Sequence, residues 1–163
     1  MQKITPFLWF DSQAEEAAKF YVSIFKNSKL GQVSRYGKEG YEIHKQPAGR
    51  AMTVQFELDG QAFTALNGGP VFQFNESVSF QVHCETQEEV DHYWNALAAG
   101  GDPKAQQCGW LKDKYGLSWQ IVPNILGRLL GDKDAAKSGR VMQAMLQMKK
   151  LDIAALTRAY EQK

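Results

Sequence analysis

Clusters of basic residues are missing from this sequence. With 19 Lys and Arg against 18 Asp and Glu the formal net charge is +1, and no run of cations long enough to track a phosphate backbone occurs. Nucleic acid is therefore not an expected partner. Long apolar runs are missing too: MQKITPFLWFD breaks at Asp11, too short for a secretory core or a membrane span, so a cytoplasmic protein without a membrane partner is expected. The two cysteines, Cys84 and Cys108, have no metal-type spacing, which excludes a Cys-based zinc site and leaves two free thiols as the expectation in a reducing compartment. What remains is a chain of 163 residues, 44% hydrophobic and 12% aromatic, enough to bury a core and to exclude disorder.

The chain contains its own repeat. FLWFDSQAEEAAKFYVSI (Phe7 to Ile24) lies without a gap over FQVHCETQEEVDHYWNAL (Phe80 to Leu97) at a shift of 73, so that Phe7 falls on Phe80 and Phe20-Tyr21 on Tyr93-Trp94. Each copy starts with strand alternation and turns into a helix. Ala14, Ala17, Tyr21 and Ile24 mark the buried side of the first helix, and Val90, Trp94 and Leu97 that of the second. Ser12 with Glu15, and Thr86 with Glu89, read as capping boxes, which gives those glutamates a structural task. At a shift of 56, DGQAFTALN (from Asp59) lies over YGLSWQIVP (from Tyr115), pairing Gly60 with Gly116, Phe63 with Trp119 and Thr64 with Gln120.

Between these landmarks KLGQVSRY and AMTVQFEL read as strands of the first half, with GKEGYEIHKQPAG as a mobile Gly-rich connection; KAQQ and CGWLKD read as the shorter strands of the second. The organisation expected is α+β: a first β-α-β-β-β module over residues 1–75, a second over 76–125, and a helical extension over 126–163. In the extension ILGRLL, GRVMQAMLQMKK and LDIAALTRAY are the helices, Asp152 is an N-cap, and Met142, Met145 and Met148 form a stripe for core packing or a subunit contact.

FLWFDSQAEEAAKFYVSIF, FELDGQAFTALNGGP, VSFQVHCETQEEVDHYW and CGWLKDKYGLSWQIVP, in this order, resemble the vicinal-oxygen-chelate superfamily of glyoxalase I, extradiol dioxygenases and the bleomycin and fosfomycin resistance proteins. The wording is most similar to the PhnB-like branch, whose members are often labelled 3-demethylubiquinone-9 3-methyltransferase. The resemblance spans about residues 4 to 125. It implies modules whose strands form a U-shaped mixed sheet around a cavity, with helices outside, and a homodimer that covers exposed sheet edges.

Strand alternation within that fold puts Phe80 and Val82, Met52, Val54, Phe56 and Leu58, and Phe63 and Trp119 against the helices. The cavity is then lined by Thr53, Gln55, Glu57, Thr64, Ser79, Gln81, His83, Ser118 and Gln120, a polar but almost neutral set. His83 is the best candidate for chemistry, because it faces the cavity and histidine titrates near neutrality. His44, in the Gly-rich stretch, and His92, on a helix beside Asp91, are not selected, and Cys84 reads as a buried small hydrophobe.

Metal-using relatives hold a divalent ion through four side chains, whose positions by resemblance are Thr5 or Pro6, Thr64, Val78 or Ser79, and Gln120. Of these only Gln120 is a plausible ligand, so no metal site and no cofactor are expected. The function expected is binding of an unidentified small molecule in a polar cleft. A metal-dependent lyase, isomerase or dioxygenase of the same superfamily is the alternative. A methyltransferase is the third reading, but NGGP (Asn67 to Pro70) is not followed by the helix that an S-adenosylmethionine loop needs.

Overall fold

The computed structural model describes residues 3–162; Met1, Gln2 and Lys163, at the outer ends of the first and last expected segments, lie outside the described residues. Two compact units result, one running to Phe74 and the other beginning at Asn75. Among the described residues no helix is long and apolar enough to cross a membrane.

The first unit runs β1 (Phe7–Phe10), α1 (Ala14–Ile24), β2 (Lys29–Arg35), a one-turn helix α2 (Tyr41–His44), β3 (Ala51–Leu58) and β4 (Gln61–Asn67). Its mixed sheet has the order β1-β4-β3-β2, with β1 and β4 parallel and the other pairs antiparallel. The alternation of AMTVQFEL sends Val54, Phe56 and Leu58 into the core while Gln55 stays exposed. Ala14, Ala17, Ala18, Tyr21 and Ile24 come down on that apolar face, and Tyr21, Phe56 and Phe63 stack in series with centroids 6.2 and 5.3 Å apart. Each large side chain buried this way contributes about 1.5–3 kcal/mol.

The N-terminus of α1 departs from the expected capping box. Ser12 makes no side-chain cap; the N–H of Ala14 instead donates to Asn67 Oδ1 at 2.8 Å, from the end of β4. Glu15, released from capping, pairs with Lys19 at 3.0 Å and Arg35 at 3.6 Å, and the Lys19 hydrogen bond holds its carboxyl below the usual range. The stretch read as mobile is also tied down. His44 Nδ1 accepts from the Gln46 N–H and Nε2 meets the Glu39 carbonyl, each at 2.9 Å, while the ring packs 4.6 Å from that of Tyr36.

The second unit runs β5 (Ser79–Cys84), α3 (Gln87–Ala98), β6 (Trp110–Lys112), β7 (Ser118–Pro123), α4 (Ile125–Leu130), α5 (Ala135–Leu146) and α6 (Ile153–Glu161). Its mixed sheet is β5-β7-β6, with β5 parallel to β7. Val90, Trp94 and Leu97 of α3 are buried, as are Leu111, Trp119 and Ile121 of the sheet. A shifted form of the capping box is found here: Thr86 accepts from the Glu89 N–H at 3.3 Å, and Glu89 accepts at 2.7 Å from the N–H of Glu85, one residue before the N-cap.

This unit is β-α-β-β, one strand short of the expected module. KAQQ is not a strand, because Pro103 lacks an N–H to give to a ladder and Asp102 caps a single 3-10 turn over Pro103–Ala105 by accepting from Lys104. Gln107 and Trp110 then exchange backbone bonds around the two-residue turn Cys108-Gly109, whose φ angles of 50° and 85° twist it as a tight hairpin requires. The outward N–H groups of Cys108 and Gly109 donate to the carbonyls of Met148 and Lys149 at 2.9 and 2.8 Å. Chain from the C-terminal extension thus caps the tip of this hairpin.

The second unit includes the extension, whose helices close on Leu126, Leu129, Val141, Leu151 and Leu156. Asp152 caps α6 as expected, at 2.7 Å from the Ala155 N–H. The methionine stripe divides: Met145 and Met148 pack on this core, whereas Met142 is 41% exposed.

The repeat itself needs one adjustment. Thr64 pairs with Phe7 in the first sheet, but its equivalent Gln120 pairs with Gln81 in the second, so the opening strands correspond at a shift of 74 while the helices keep 73. The missing residue is in the turn, Asp11-Ser12-Gln13 in one copy and Glu85-Thr86 in the other. Phe7 is therefore the counterpart of Gln81 rather than of Phe80, and it is exposed.

Candidate functional site

The alternation of β3 and β4 leaves one polar face on the first sheet, and it borders an open cavity of about 810 Å³. Gln55, Glu57 and Thr64 line it, as the sequence indicated, and Gln55 is directly opposite Thr64 in the ladder. Thr5 and Lys29 also line it. Lys29 faces Glu57 across β2 and β3, with the ammonium 3.3 Å from the carboxylate. The alternation of KLGQVSRY gave no hint of this role. A Cβ on Gly31 would meet the Gln55 Cβ at 3.1 Å, so the glycine lets β2 approach closely. Thr53 does not line the cavity; its hydroxyl is shared with Ser34 Oγ at 2.5 Å.

The remaining candidates occupy the second sheet. Pairing register sets them in rows on one face: Lys112, Ser118 and Ser79 in one, Trp110, Gln120 and Gln81 in the next, and Val122 with His83 beyond. Gln120 Nε2 donates to Ser79 Oγ at 2.9 Å, and Ser118 is buried with its hydroxyl unpartnered among the described residues. Gln81 and His83 are exposed. No hydrogen bond orients the His83 ring among the described residues.

Cys84 is fully buried, and burial with the nearby Glu89 charge pushes its thiol up to about 11. Cys108 is partly exposed in its turn. Titration of native protein with a thiol reagent at pH 8 is therefore expected to modify one cysteine per chain, Cys108, and two after denaturation; rapid labelling of Cys84 in the native state would show its strand to be open.

Two sequence motifs turn out to be fold devices. In NGGP, the Gly68 and Gly69 N–H groups extend the β1 pairing by donating to Phe10 and Asp11, and the Trp9 indole donates to the Gly69 carbonyl at 2.9 Å. A Cβ on Gly68 would be 2.2 Å from the Trp9 ring, so the glycine exists for that contact. In DKYGLSWQ, Asp113 is buried and accepts from the N–H groups of Tyr115 (2.8 Å) and Leu117 (3.1 Å) and from the Trp119 indole (2.9 Å).

A family model described as 3-demethylubiquinone-9 3-methyltransferase matches residues 2–122. The chain belongs to this family. A member of known structure, the PhnB protein from Bacillus cereus, which carries the same description provisionally, is 38% identical; it is matched over 99% of its length by 75% of this chain, with a TM-score of 0.64. The 3-demethylubiquinone-9 3-methyltransferase family shares its fold more widely. Protein PA1353 from Pseudomonas aeruginosa (20% identity, TM-score 0.57, 76% of this chain and 98% of that one) and the genomically encoded fosfomycin resistance protein FosX from Listeria monocytogenes (16%, 0.50, 80% and 98%) have the same architecture. Among curated proteins none matches.

For the methyltransferase-labelled family a metal of the wider superfamily can be tested against the side chains present. The four implied positions offer a Thr5 hydroxyl or Pro6, the Thr64 hydroxyl, Val78 or the Ser79 hydroxyl, and the Gln120 amide, whose nitrogen donates to Ser79 and whose neutral carbonyl oxygen is its one remaining ligand atom. Among the described residues no group of three or more His, Cys, Asp or Glu side chains could hold an ion. This neutral donor set does not fit a dication, which needs charged oxygen or imidazole ligands to replace its hydration.

Proposed function

We propose that this family member binds a small molecule against the polar faces of its sheets, without the divalent ion used by catalytic relatives of the fold. The observation that carries the reading is the Gln120–Ser79 hydrogen bond, which joins two positions implied for metal ligands as a neutral amide–hydroxyl pair. The cavity of the first sheet, with Gln55, Thr64 and the Lys29–Glu57 pair, supports the same conclusion: its donors and acceptors are abundant and its charges offset. Exposed Ile4 and Phe7, the latter on edge strand β1, support a homodimer as the assembled form. Methyl transfer has weaker support, because NGGP is committed to Trp9 and no helix opens on it.

Protein purified without chelator is expected to carry far less than one zinc, nickel, manganese or iron per chain, and its melting temperature should not respond to these ions or to EDTA. Near-stoichiometric metal whose removal lowers the melting temperature would replace this reading with the metal-dependent lyase, isomerase or dioxygenase. Calorimetry with millimolar S-adenosylmethionine is expected to give no binding heat.

A further inference from the structure

We infer that the second sheet presents a recognition surface for an uncharged planar ring that carries hydrogen-bonding edges, with Trp110 as the stacking platform. The inference rests on the small-molecule reading above and specifies the chemistry of the ligand.

The ladder places Trp110 directly opposite Gln120, with Gln81 on the other side of Gln120, so an indole and two amides occupy one row of one face. The neighbouring residues Leu111 and Trp119 are buried on the opposite face, which fixes the side on which Trp110 stands. The Trp110 ring is only partly buried, and its N–H has no hydrogen-bond partner among the described residues. Gln120 spends its amide nitrogen on Ser79 and, among the described residues, keeps its carbonyl oxygen available, while Gln81 is exposed with its amide oxygen and nitrogen both available. An aromatic face flanked by unspent amide donors and acceptors suits a flat ligand with polar edges, since stacking accepts any π-face and amides read the rim.

The adjoining row adds an independent sign of an unmet partner. Ser118, between Lys112 and Ser79 in register, is 1% exposed and its hydroxyl is unpartnered among the described residues. A buried hydroxyl in a native protein is normally paired. A polar substituent of the ring entering this row would complete it. Charge, in contrast, is already matched here: the Lys112 ammonium is bound to the Glu76 carboxylate, so in these two rows, among the described residues, neither an anion nor a cation meets a free opposite charge.

The test uses the full chain and five probes read by thermal shift and equilibrium binding: lumichrome, adenine and thymine as neutral planar rings, sorbitol as an aliphatic polyol, and inorganic phosphate as an anion. At least one planar probe should bind saturably. Trp110→Leu should weaken it about tenfold or more, Trp110→Phe much less, and Gln120→Leu measurably, with each variant's unliganded melting temperature recorded to separate misfolding from lost contact. If sorbitol or phosphate binds and no planar probe does, or if Trp110→Leu binds planar probes like the wild type, the ring assignment is overturned while small-molecule binding survives. If none of the five binds and native mass spectrometry of the purified protein finds no co-purified small molecule, both fall.

Discussion

Replacing Asp113 with alanine is expected to cost the second unit roughly 3–5 kcal/mol, because several donors lose one shared acceptor while two of the bonds are buried. The carboxylate holds the Tyr115 and Leu117 N–H groups and the Trp119 indole, and the Asp113 backbone N–H closes the same turn on the Leu117 carbonyl at 2.9 Å. Asp113→Asn should be milder: one oxygen can still accept from the backbone, but the amide nitrogen would then confront the Trp119 N–H. Urea denaturation measures both, and a loss below about 1 kcal/mol for the alanine variant would show that water replaces the carboxylate. The turn also sets where β7 begins, so the alanine variant should lose whatever affinity depends on Ser118 and Gln120.

Asn67→Ala is expected to destabilise the first unit by roughly 2–4 kcal/mol, combining a lost helix cap with a buried carbonyl left unpaired. Asn67 is 2% exposed; Oδ1 accepts from the Ala14 N–H at the start of α1, and Nδ2 donates to the Ala51 carbonyl at 3.0 Å. The companion variant Ser12→Ala should change stability by less than about 0.5 kcal/mol, since its hydroxyl caps nothing. Equal effects for the two would restore the local capping box and remove Asn67 from this role.

The contrast between Ser12 and Asn67 shows what could be read from order along the chain. Helix stripes and strand alternation were legible because they are local periodicities: Tyr21, Val54, Phe56, Val90 and Leu97 are all buried where spacing put them. The α1 cap was not, because its acceptor comes from 53 residues away and Ser12 offered a plausible nearer one. KAQQ failed as a strand for a similar reason, since Pro103 spoiled its ladder and the turn that follows is held by the distant backbone of Met148 and Lys149. The one-residue slip between the halves was hidden by the match of Phe7 to Phe80, which similarity favours and pairing register does not.

The same unevenness holds for the candidate site. Parity named Gln55, Glu57 and Thr64 correctly as residues of one face, yet it could not see Lys29, whose place depends on an irregular register between β2 and β3. It named Gln120 but passed over Trp110, because a tryptophan in a three-residue strand reads as core until the strand's partner is known. The NGGP and DxxG wording carried the family resemblance, and both motifs are occupied with holding turns, so they speak for architecture rather than for chemistry.

The hold of Met148 and Lys149 on the Cys108-Gly109 turn has a practical meaning for the boundary of the domain. The family match stops at residue 122, and the Bacillus cereus relative is nearly all covered by three quarters of this chain. Trimming the protein to that shared length would strip the Cys108-Gly109 hairpin of its backbone partners and remove the cluster of Leu126, Leu129, Val141, Leu151 and Leu156 altogether, uncovering Val122 of β7 that packs against it. A short, twisted hairpin with two unsatisfied N–H groups offers a free backbone edge to another chain. Removing the segment least shared with the family is thus expected to make the shared segment prone to self-association, which light scattering of the trimmed chain would measure.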